Sequence, residues 1–379
     1  MVSKRLASIE ESATMRISAE AKRLNAEGFD IIDLGVGEPD FDTPRHICDA
    51  ACRYMMEGKT RYTPTNGIPE LRRVIAKKLR EENRIPTVPD DVIVTPGAKM
   101  AVFAAIQALL DEGDEMVLIG PSWVSYEPCI RFAGGRPVWA DVDQDFMPID
   151  LPEAITDRTK AILVNSPCNP TGAVFGRDVM NEIRDLAIDH DIYVVSDEVY
   201  EKIIYGHEHI SIASLPDMAE RTVTINGFSK SYAMTGWRLG YLTGPKDILK
   251  WVSRLLSHSV SHPTTFVQWA GIAALEGPQD DVKRMTEEFR ARRDILVEGL
   301  RSLGMRCALP GGAFYIFPDV SPLGGGDAFA ERLLKEAKIA VTPGSAFGPG
   351  GEDYVRISYA TSRERLNEAL ERMGKMLGD

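Results

Sequence analysis

Cysteine is scarce in this chain, and its spacing is irregular. Five cysteines occur among 379 residues, and the one close pair, Cys48 and Cys52, has no second cluster of cysteine or histidine to go with it. A disulfide framework uses an even set of cysteines in a short chain, and a structural zinc site needs four ligands. The sequence therefore excludes a small disulfide-stapled fold and indicates no metal site. We expect reduced thiols, as in a cytoplasmic protein.

Long apolar runs and an excess of positive charge are also missing. The sequence has no run of about 18 uncharged apolar residues, and its first 20 residues lack the apolar block of a secretory signal. Lysine and arginine number 44 against 56 aspartates and glutamates, a net charge of −12. We expect no membrane span and no nucleic-acid partner, because an acidic surface repels polyanions. A small anionic substrate stays possible where a few cations line a cleft.

The chain has enough length and apolar content to bury a large core. Its apolar fraction of 44% and charged fraction of 26% are ordinary for a globular protein, and 379 residues suggest more than one folding unit. The sequence changes in character near both ends. We expect an N-terminal arm over 1–45 that forms part of a small domain, a large domain over 46–280, and a small C-terminal domain over 281–379.

Short apolar runs alternate with helix-length segments through the middle of the chain. Continuously apolar runs are typical of strands covered on both faces, and their alternation with helices favours an α/β fold with a mostly parallel sheet. Seven strands are predicted, at Asp91–Thr95, Glu115–Ile119, Pro137–Asp141, Ala161–Asn165, Ile192–Ser196, Thr222–Asn226 and Leu239–Thr243. Helices are predicted between them at Ala98–Leu110, Trp123–Phe132 and Arg177–His190.

The last hundred residues predict a smaller α+β domain. Its expected helices are Glu287–Ser302, Asp327–Ala337 and Ser362–Met376, and its expected strands are Ala313–Phe317 and Tyr354–Tyr359. The N-terminal arm, which we expect to end in a helix by Ala26, should join this domain. Both ends of the chain would then pack together on the large domain.

Polar clusters follow five of the predicted strands. They are Pro96–Lys99, Pro121–Trp123, Ser166–Gly172, Asp197–Tyr200 and Gly227–Lys230. The carboxyl ends of parallel strands lie along one edge of a sheet, and ligands bind in the loops there. These clusters should therefore converge on one cleft, which is the main evidence from the residues themselves for a functional site.

Several residues in these clusters suit the binding of an anion and a ring. Gly97 and Ala98 at a helix start expose backbone N–H groups to an anion, which Ser229 and Arg238 could help to bind. Trp123 offers a flat face on which a ring can stack. Alone, each feature is as well explained by a turn or a core residue, so the argument depends on their convergence.

Asp197 and Lys230 are the chemically unusual residues. Asp197 directly follows an apolar strand, where a carboxylate is costly to bury unless a cation or hydrogen bond compensates it. A helix cap or salt bridge would explain Asp197 equally well. Lys230 lies among small and apolar residues, a setting in which an amine loses its proton readily and attacks a carbonyl. A lysine is usually a surface charge, but the neighbouring clusters favour a reactive amine here.

The sequence around Lys230 resembles the lysine signature of the class I aminotransferases, which belong to fold type I of the pyridoxal-phosphate (PLP) enzymes. The stretch Gly227–Gly240 fits that signature at every constrained position. Similar segments occur along almost the full length, at Gly35–Asp40, Tyr62–Gly67, Asn169–Gly172, Ser196–Tyr200 and Val355–Tyr359. The resemblance implies a PLP-dependent aminotransferase with a large domain and a smaller one.

The resemblance also implies a role for each matching residue. Lys230 should bind the cofactor as a Schiff base and then move the substrate's α-proton, and Asp197 should pair with the ring nitrogen. Asn169 and Tyr200 should hydrogen-bond the phenolic oxygen of the ring, on which Trp123 stacks. The phosphate should lie among Gly97, Ala98, Lys99, Ser229 and Arg238, with Tyr62 reaching in from the second subunit of a homodimer. The substrate carboxylate should bind Arg356, near Gly37, Asn169 and Trp123.

Other residues resemble the bacterial aspartate/prephenate aminotransferase subgroup. They include Ser12–Thr14, Lys99 and Trp123–Tyr126. Lys99 could bind a side-chain carboxylate, which favours aspartate or a related dicarboxylate with 2-oxoglutarate. Glu10, where the subgroup often carries lysine, and Ser261–Thr264 depart from the subgroup pattern. An aromatic, alanine or broad-specificity aminotransferase therefore stays an alternative.

Two functions of other classes are alternatives on the sequence. A PLP-dependent lyase can use the same fold and the same reactive lysine. A non-enzymatic regulator on this fold would usually add a basic DNA-binding segment, which this acidic chain does not contain. We therefore expect an enzyme, with amino and 2-oxo acids as its small-molecule partners.

Overall fold

A seven-stranded sheet lies at the centre of the structure. The computed structural model describes residues 13–378, so Glu10 and Ser12 lie outside the described residues. The strands are β1 (Ile32–Asp33), β2 (Val92–Thr95), β3 (Glu115–Ile119), β4 (Arg136–Ala140), β5 (Thr159–Asn165), β6 (Tyr193–Asp197), β7 (Thr222–Gly227), β8 (Gly240–Thr243), β9 (Tyr315–Ile316), β10 (Ile339–Ala340), β11 (Thr342–Pro343) and β12 (Val355–Ser358).

The central sheet has the strand order β2-β8-β7-β6-β5-β3-β4. Strand β8 is antiparallel to both of its neighbours, and the remaining pairs are parallel. The predicted mostly parallel seven-stranded sheet is therefore confirmed, with strand ends within two residues of the expected ones. Because β2 and β7 both run opposite to β8, the carboxyl ends of β2, β3, β5, β6 and β7 share one edge of the sheet.

Helices cover both faces of this sheet, which is why its inner strands are continuously apolar. All residues of β3 and β7, for example, are buried. No helix within residues 13–378 is both long and apolar enough to cross a bilayer.

The helices are α1 (Ala13–Ala26), α2 (Arg45–Met56), α3 (Pro69–Glu81), α4 (Ala98–Leu109), α5 (Tyr126–Phe132), α6 (Arg177–Asp189), α7 (Lys246–Ser259), α8 (Thr265–Glu276), α9 (Asp280–Ser302), α10 (Gly326–Arg332) and α11 (Arg363–Gly378).

Helix α5 begins three residues later than the sequence predicted, at Tyr126 instead of Trp123. A helix that started at Trp123 would place Pro128 at its sixth position, where proline cannot donate the backbone hydrogen bond. Starting at Tyr126 puts Pro128 in the first turn, where the N–H has no helical partner anyway. Trp123 is thereby left in a loop, free to face the ligand side of the sheet.

Both ends of the chain meet in a second group of elements. Strand β1 pairs in parallel with β10, and β11, β12 and β9 form a small antiparallel sheet. Their side chains share one hydrophobic core with α9 and α11, which includes Leu34, Phe289, Phe314 and Leu366. These contacts support the expected joining of the N-terminal arm to the C-terminal region. The proposed domain limits at 45 and 280 stay a prediction.

Three boundaries in this region differ from the expected ones. Helix α9 starts at Asp280, seven residues earlier than expected. Acidic residues in its first turn interact favourably with the positive end of the helix dipole and so stabilise this start. Strand β9 has only two of the five expected residues, because Ala313 adopts a left-handed conformation with φ of 55°. The helix expected over Asp327–Ala337 is α10 followed by a π-helical turn at Leu333–Ala337.

Candidate active site

The polar clusters that follow five strands of the sheet line one cleft, as their positions predicted. The cleft has a volume of about 330 Å³, at the lower end of the range for small-molecule sites. Eleven of the predicted site residues line it: Gly37, Ala98, Lys99, Trp123, Asn169, Asp197, Tyr200, Ser229, Lys230, Arg238 and Arg356. Residues from the two ends of the chain thus meet residues from the sheet.

Lys230 places its amine inside this cleft. Its Nζ donates a hydrogen bond to the backbone oxygen of Gly37 at 2.5 Å. Burial lowers the pKa of Lys230 to about 8, and the cations Arg356 and Arg238 act in the same direction, against the Glu38 carboxylate. About a tenth of the amine is therefore unprotonated at pH 7, far more than for an ordinary lysine, and the unprotonated form is the one that acts as a nucleophile or general base.

Asp197 is the last residue of β6, and the residue is 4% exposed. Burial raises its pKa to about 6. The Tyr126 hydroxyl, which donates to Oδ2 at 2.8 Å, and the backbone N–H of Val199, which donates to Oδ1 at 3.3 Å, oppose that rise. Asn165 fixes the same strand end through a 2.9 Å bond from Nδ2 to the Asp197 carbonyl. A carboxylate held this way is ready to pair with a cationic group of a ligand.

Arg356 lies on β12 with a buried guanidinium. Nη1 donates to Asn169 Oδ1 at 3.0 Å, and Nη2 donates to the Gly35 carbonyl at 2.6 Å. The rings of Tyr315 and Phe347 lie 4.5 Å and 5.0 Å from its central carbon. Burial lowers the pKa of Arg356, and its Nε has no hydrogen-bond partner within residues 13–378. These neighbours hold the guanidinium rigidly and leave it available to a carboxylate.

Gly97 and Arg238 form the opposite, cationic part of the site. Gly97 precedes α4 with a φ of +82°, and a Cβ there would lie 2.6 Å from Nη2 of Arg238. Glycine is therefore required both for the backbone conformation and for the close approach of the guanidinium. Helix α4 directs its first N–H groups and its positive dipole end toward this place, as anion sites do. Ser229, which is buried, also lines the cleft.

Two predicted residues differ from the others in position. Gly97 adjoins the cleft only through Arg238 and through Ala98, which lines the cleft. Tyr62 is 93% exposed and packs edge-on against His262, with the ring centres 5.4 Å apart. Its ring therefore contributes nothing to the site of its own chain, and its expected role depends on a second subunit.

Sequence reasoning missed three residues that shape the site, namely Tyr126, Asn165 and Tyr315. Tyr126 bonds the Asp197 carboxylate, and Asn165 bonds the backbone of both Asp197 and Asn169. The only available signal was position, because Asn165 ends a predicted strand and Tyr126 stands in the Trp123–Tyr126 segment. Tyr315 gave no comparable signal, since nothing near it in the sequence indicates a polar partner.

A buried ion pair lies behind the turn that carries Asp197 and Tyr200. The Lys78 ammonium bonds the Glu201 carboxylate and Asn83 Oδ1, and the side chains of Lys78 and Glu201 are 4% and 7% exposed. Burial by itself would raise the pKa of Glu201, but Lys78, helped by His209, holds it at about 2. This pair anchors the turn to helix α3.

Replacement Glu201→Gln should lower the free energy of unfolding by about 3–5 kcal/mol at pH 7, because Lys78 is left buried without its counter-charge. The folded-state pKa of Glu201, about 2, lies below its ordinary value of 4.5. Its contribution is therefore complete above pH 4.5 and disappears as the pH falls toward 2. Urea unfolding at pH 7 and pH 3 measures both effects.

The matched control for this variant is Glu82→Gln. Glu82 pairs with Lys202 at the surface, and its side chain is 50% exposed. Exposed pairs contribute at most about 1 kcal/mol, so the control should change the free energy of unfolding little. Equal losses in the two variants would contradict the importance assigned to burial.

The residues of the cleft fit an anionic, ring-shaped ligand with a reactive carbonyl. Lys99, Lys230, Arg238 and Arg356 supply four cations against the single carboxylate of Asp197 among the lining residues. Among the lining residues, Arg356 Nε is a buried polar atom without a partner in residues 13–378, and such an atom requires a ligand or water. A buried amine of lowered pKa and a buried carboxylate that line one cationic cleft are the arrangement expected of the PLP-dependent enzymes of fold type I.

Comparison with known proteins identifies the family. A profile described as aminotransferase class I and II matches residues 30–373. The aspartate/prephenate aminotransferase of Thermus thermophilus is 45% identical, covering 100% of this chain and 99% of the relative. The solved aspartate aminotransferase of T. thermophilus with maleate has a TM-score of 0.96 at 45% identity, covering 99% of each chain. An aromatic aminotransferase from Pyrococcus horikoshii has a TM-score of 0.90 at 43% identity, covering 94% of this chain and 98% of its own.

The chain therefore belongs to the class I and II aminotransferases. It is a PLP-dependent aminotransferase, and the resemblance seen in the sequence around Lys230 is confirmed at the level of family, fold and cofactor. The two half-reactions of such an enzyme pass an amino group from an amino acid to a 2-oxo acid.

Proposed function

We propose that the protein transfers the amino group of aspartate, or of a related dicarboxylic amino acid, to 2-oxoglutarate. The observation that carries this proposal is Lys99. Its Nζ lies in the cleft 4.9 Å from the ring centre of Trp123. Burial lowers the pKa of Lys99, and no carboxylate of residues 13–378 is among the groups that act on it. The second carboxylate of a dicarboxylic substrate would supply that charge, while Arg356 binds the first. Relatives named aspartate aminotransferase support the same assignment.

Each residue of the cleft has a proposed part in holding the cofactor. When bound, pyridoxal phosphate supplies the electron sink that stabilises negative charge on the substrate's α-carbon. Lys230 would hold it covalently, Asp197 would pair with its ring nitrogen, and Trp123 would stack on the ring. The phenolic oxygen would accept hydrogen bonds from Asn169 and Tyr200. The phosphate would lie among Gly97, Ala98, Ser229 and Arg238, which leaves Lys99, the fifth residue that the resemblance implied for the phosphate, for the substrate's second carboxylate.

The same side chains orient the substrate and move its proton. Arg356 would bind the α-carboxylate through two parallel hydrogen bonds, the geometry for which a guanidinium is suited, beside Gly37 and Asn169. Lys230, released when the substrate amine takes its place, would accept the proton from the α-carbon. A pKa near 8 lets its amine both accept and return that proton near neutral pH. Holding the substrate at Arg356 also fixes which α-carbon bond breaks.

We also propose that the enzyme works as a homodimer in the cytoplasm. Tyr62 is 93% exposed in the single chain. In a homodimer it would be buried against the phosphate site of the partner subunit. All five cysteines have free thiols, which supports a reducing compartment.

An aromatic amino acid is the second candidate substrate. Met15 lines the cleft, and it is 67% exposed. Its flexible thioether can pack against an aromatic side chain. The similar protein from P. horikoshii is named an aromatic aminotransferase.

Replacement Lys99→Met distinguishes these substrates. The kcat/KM for aspartate and glutamate should fall by about 10- to 100-fold, since a hydrogen bond to a charged group contributes roughly 1.5–3 kcal/mol. The values for alanine and phenylalanine should change by less than about threefold. The measurement is kcat/KM for a panel of amino donors with 2-oxoglutarate, with oxaloacetate as the acceptor when glutamate is the donor.

The control for this series is Lys160→Met, at a side chain that is 51% exposed on the surface. It should leave all donors unchanged. An equal loss for every donor in Lys99→Met would instead assign Lys99 to the phosphate or to the structure. Wild-type activity no higher with aspartate and glutamate than with alanine or phenylalanine would reject the dicarboxylate proposal itself.

A further inference from the structure

Two tyrosine hydroxyls meet at the wall of the cleft. Oη of Tyr200 and Oη of Tyr315 are 2.9 Å apart and share a hydrogen bond, and the two residues are 4% and 1% exposed. Tyr200 follows β6 of the large sheet, whereas Tyr315 begins β9 beside the C-terminal elements. The bond therefore joins the part of the chain that carries Asp197 to the part that carries Arg356.

The other contacts of Tyr315 restrict its hydroxyl to this position. Its ring lies 4.5 Å from the central carbon of the Arg356 guanidinium. A Cβ at Gly37 would lie only 2.7 Å from Oη of Tyr315, so the absence of a side chain there makes room for the hydroxyl. If packing were the only requirement, a phenylalanine would fill this position equally well, without a hydroxyl to bury.

We propose that Tyr315 is a positioning residue that donates its hydroxyl proton to Tyr200 and thereby strengthens the hydrogen bond from Tyr200 to the cofactor's phenolic oxygen. This inference rests on the role proposed above for Tyr200. A tyrosine hydroxyl has a single proton. If Tyr200 gives its proton to the phenolic oxygen, the 2.9 Å bond between the two tyrosines must be made with the proton of Tyr315.

The direction of the hydrogen bonds from Tyr315 to Tyr200 to the phenolic oxygen has a chemical consequence. A hydroxyl that accepts a hydrogen bond becomes a stronger donor, because bonds in a chain polarise one another. Burial raises the pKa of Tyr315, and the Arg356 cation beside its ring opposes that rise, because a neighbouring positive charge favours loss of the proton. Arg356 therefore makes Tyr315 a better donor than burial alone would leave it. Stronger donation stabilises negative charge on the phenolic oxygen, and so disfavours protonation of the Lys230 nitrogen that is bonded to the cofactor.

Replacement Tyr315→Phe in the substrate-free holoenzyme tests the proposal. The readout is the pH midpoint of the cofactor's visible absorbance change, which reports protonation of the Lys230 nitrogen and does not depend on turnover. The midpoint should rise by about half a pH unit, roughly threefold in proton affinity, as expected for the cooperative part of one neutral hydrogen bond. Tyr200→Phe should raise it by about one unit or more.

The double variant separates action through Tyr200 from a direct effect. In the Tyr200→Phe background, Tyr315→Phe should shift the midpoint by no more than about 0.1 unit, because no donor remains to be strengthened. Equal shifts in the two backgrounds would overturn the proposal. So would an unchanged or lowered midpoint in Tyr315→Phe while Tyr200→Phe raises it. An unchanged midpoint in Tyr200→Phe itself would overturn the underlying role of Tyr200, which is a different result.

The matched control is Tyr359→Phe. Tyr359 is also fully buried, and its hydroxyl donates to the Ala313 carbonyl at 3.3 Å instead of to Tyr200. Loss of this hydroxyl should leave the midpoint where it is in the wild type. A shift as large as that of Tyr315→Phe would mean that any lost buried hydroxyl moves the midpoint, and the proposal would be wrong.

Discussion

Replacement of Lys230 by alanine should lower kcat/KM for transamination by at least about 10⁴-fold. One amine is proposed both to bind the cofactor and to move the substrate's α-proton, so a single change removes two functions. The Nζ lies in the cleft, hydrogen-bonded to Gly37, with its pKa lowered to about 8. The measurement is the rate of 2-oxo acid formation from aspartate with 2-oxoglutarate as acceptor.

The control for this prediction is Lys160→Ala. Its side chain is 51% exposed and its nearest carboxylate, on Asp114, is 4.0 Å away. The control should keep its kcat/KM within about twofold of the wild type, as surface changes usually do. If Lys230→Ala kept more than about a tenth of the activity, the assignment of Lys230 would be wrong.

Replacement Asp197→Asn is the second change with a large expected effect on activity. The carboxylate is proposed to pair with the protonated ring nitrogen of the cofactor, and asparagine keeps the shape but removes the charge. Loss of one partner of a buried charge pair costs about 2–5 kcal/mol, so kcat should fall by roughly 10²- to 10³-fold. Lys230 is unchanged, so the cofactor should still become covalently attached. Steady-state kinetics and the absorbance of the holoenzyme measure the two properties separately.

The same variant should make the cofactor-free protein more stable. The folded-state pKa of Asp197, about 6, is above its ordinary value of 3.8, so the buried charge destabilises the fold. The cost is absent below pH 3.8 and complete above pH 6, where it amounts to at most about 3 kcal/mol. Urea unfolding of the cofactor-free proteins should therefore show Asp197→Asn more stable at pH 8, with the difference vanishing toward pH 4.

Asp191→Asn serves as the control, because the Asp191 side chain is 94% exposed and pairs with Arg221 at the surface. Neither kcat nor stability should change by a measurable amount in this variant. A cofactor-free Asp197→Asn protein that is less stable than the wild type at pH 8 would show that the carboxylate stabilises the empty site. The claim that Asp197 lowers the stability of the cofactor-free protein for the sake of function would then be wrong.

The central sheet was predictable because its strands are continuously apolar and its helices are long. Burial on both faces makes β3 and β7 unambiguous in the sequence. The direction of β8, which lies between β2 and β7, was not predictable in the same way, since a strand of the same composition can pair with its neighbours in either direction. Strands β1, β9, β10 and β11 have two residues each, which is too short for any periodic pattern.

The residues of the site were predictable where a motif carries them and not where the fold alone brings them together. Lys230 and Asp197 follow predicted parallel strands, whose carboxyl ends share one edge of the sheet, and this was enough to place both in one cleft. Tyr126 lies 71 positions from Asp197, and Tyr315 lies 115 positions from Tyr200. A hydrogen bond over such a distance leaves no trace in a single sequence. Tyr62 cannot be assigned from one chain at all, because its expected partner is a second subunit.

Borohydride reduction of the purified holoenzyme is the most direct test of the central claim. After digestion, mass spectrometry of the peptides should find one phosphopyridoxyl group on the side-chain nitrogen of Lys230, and Lys230→Ala should yield none. A phosphopyridoxyl group on any other lysine, such as Lys99, or unmodified Lys230 in a holoprotein that carries the cofactor, would contradict the account.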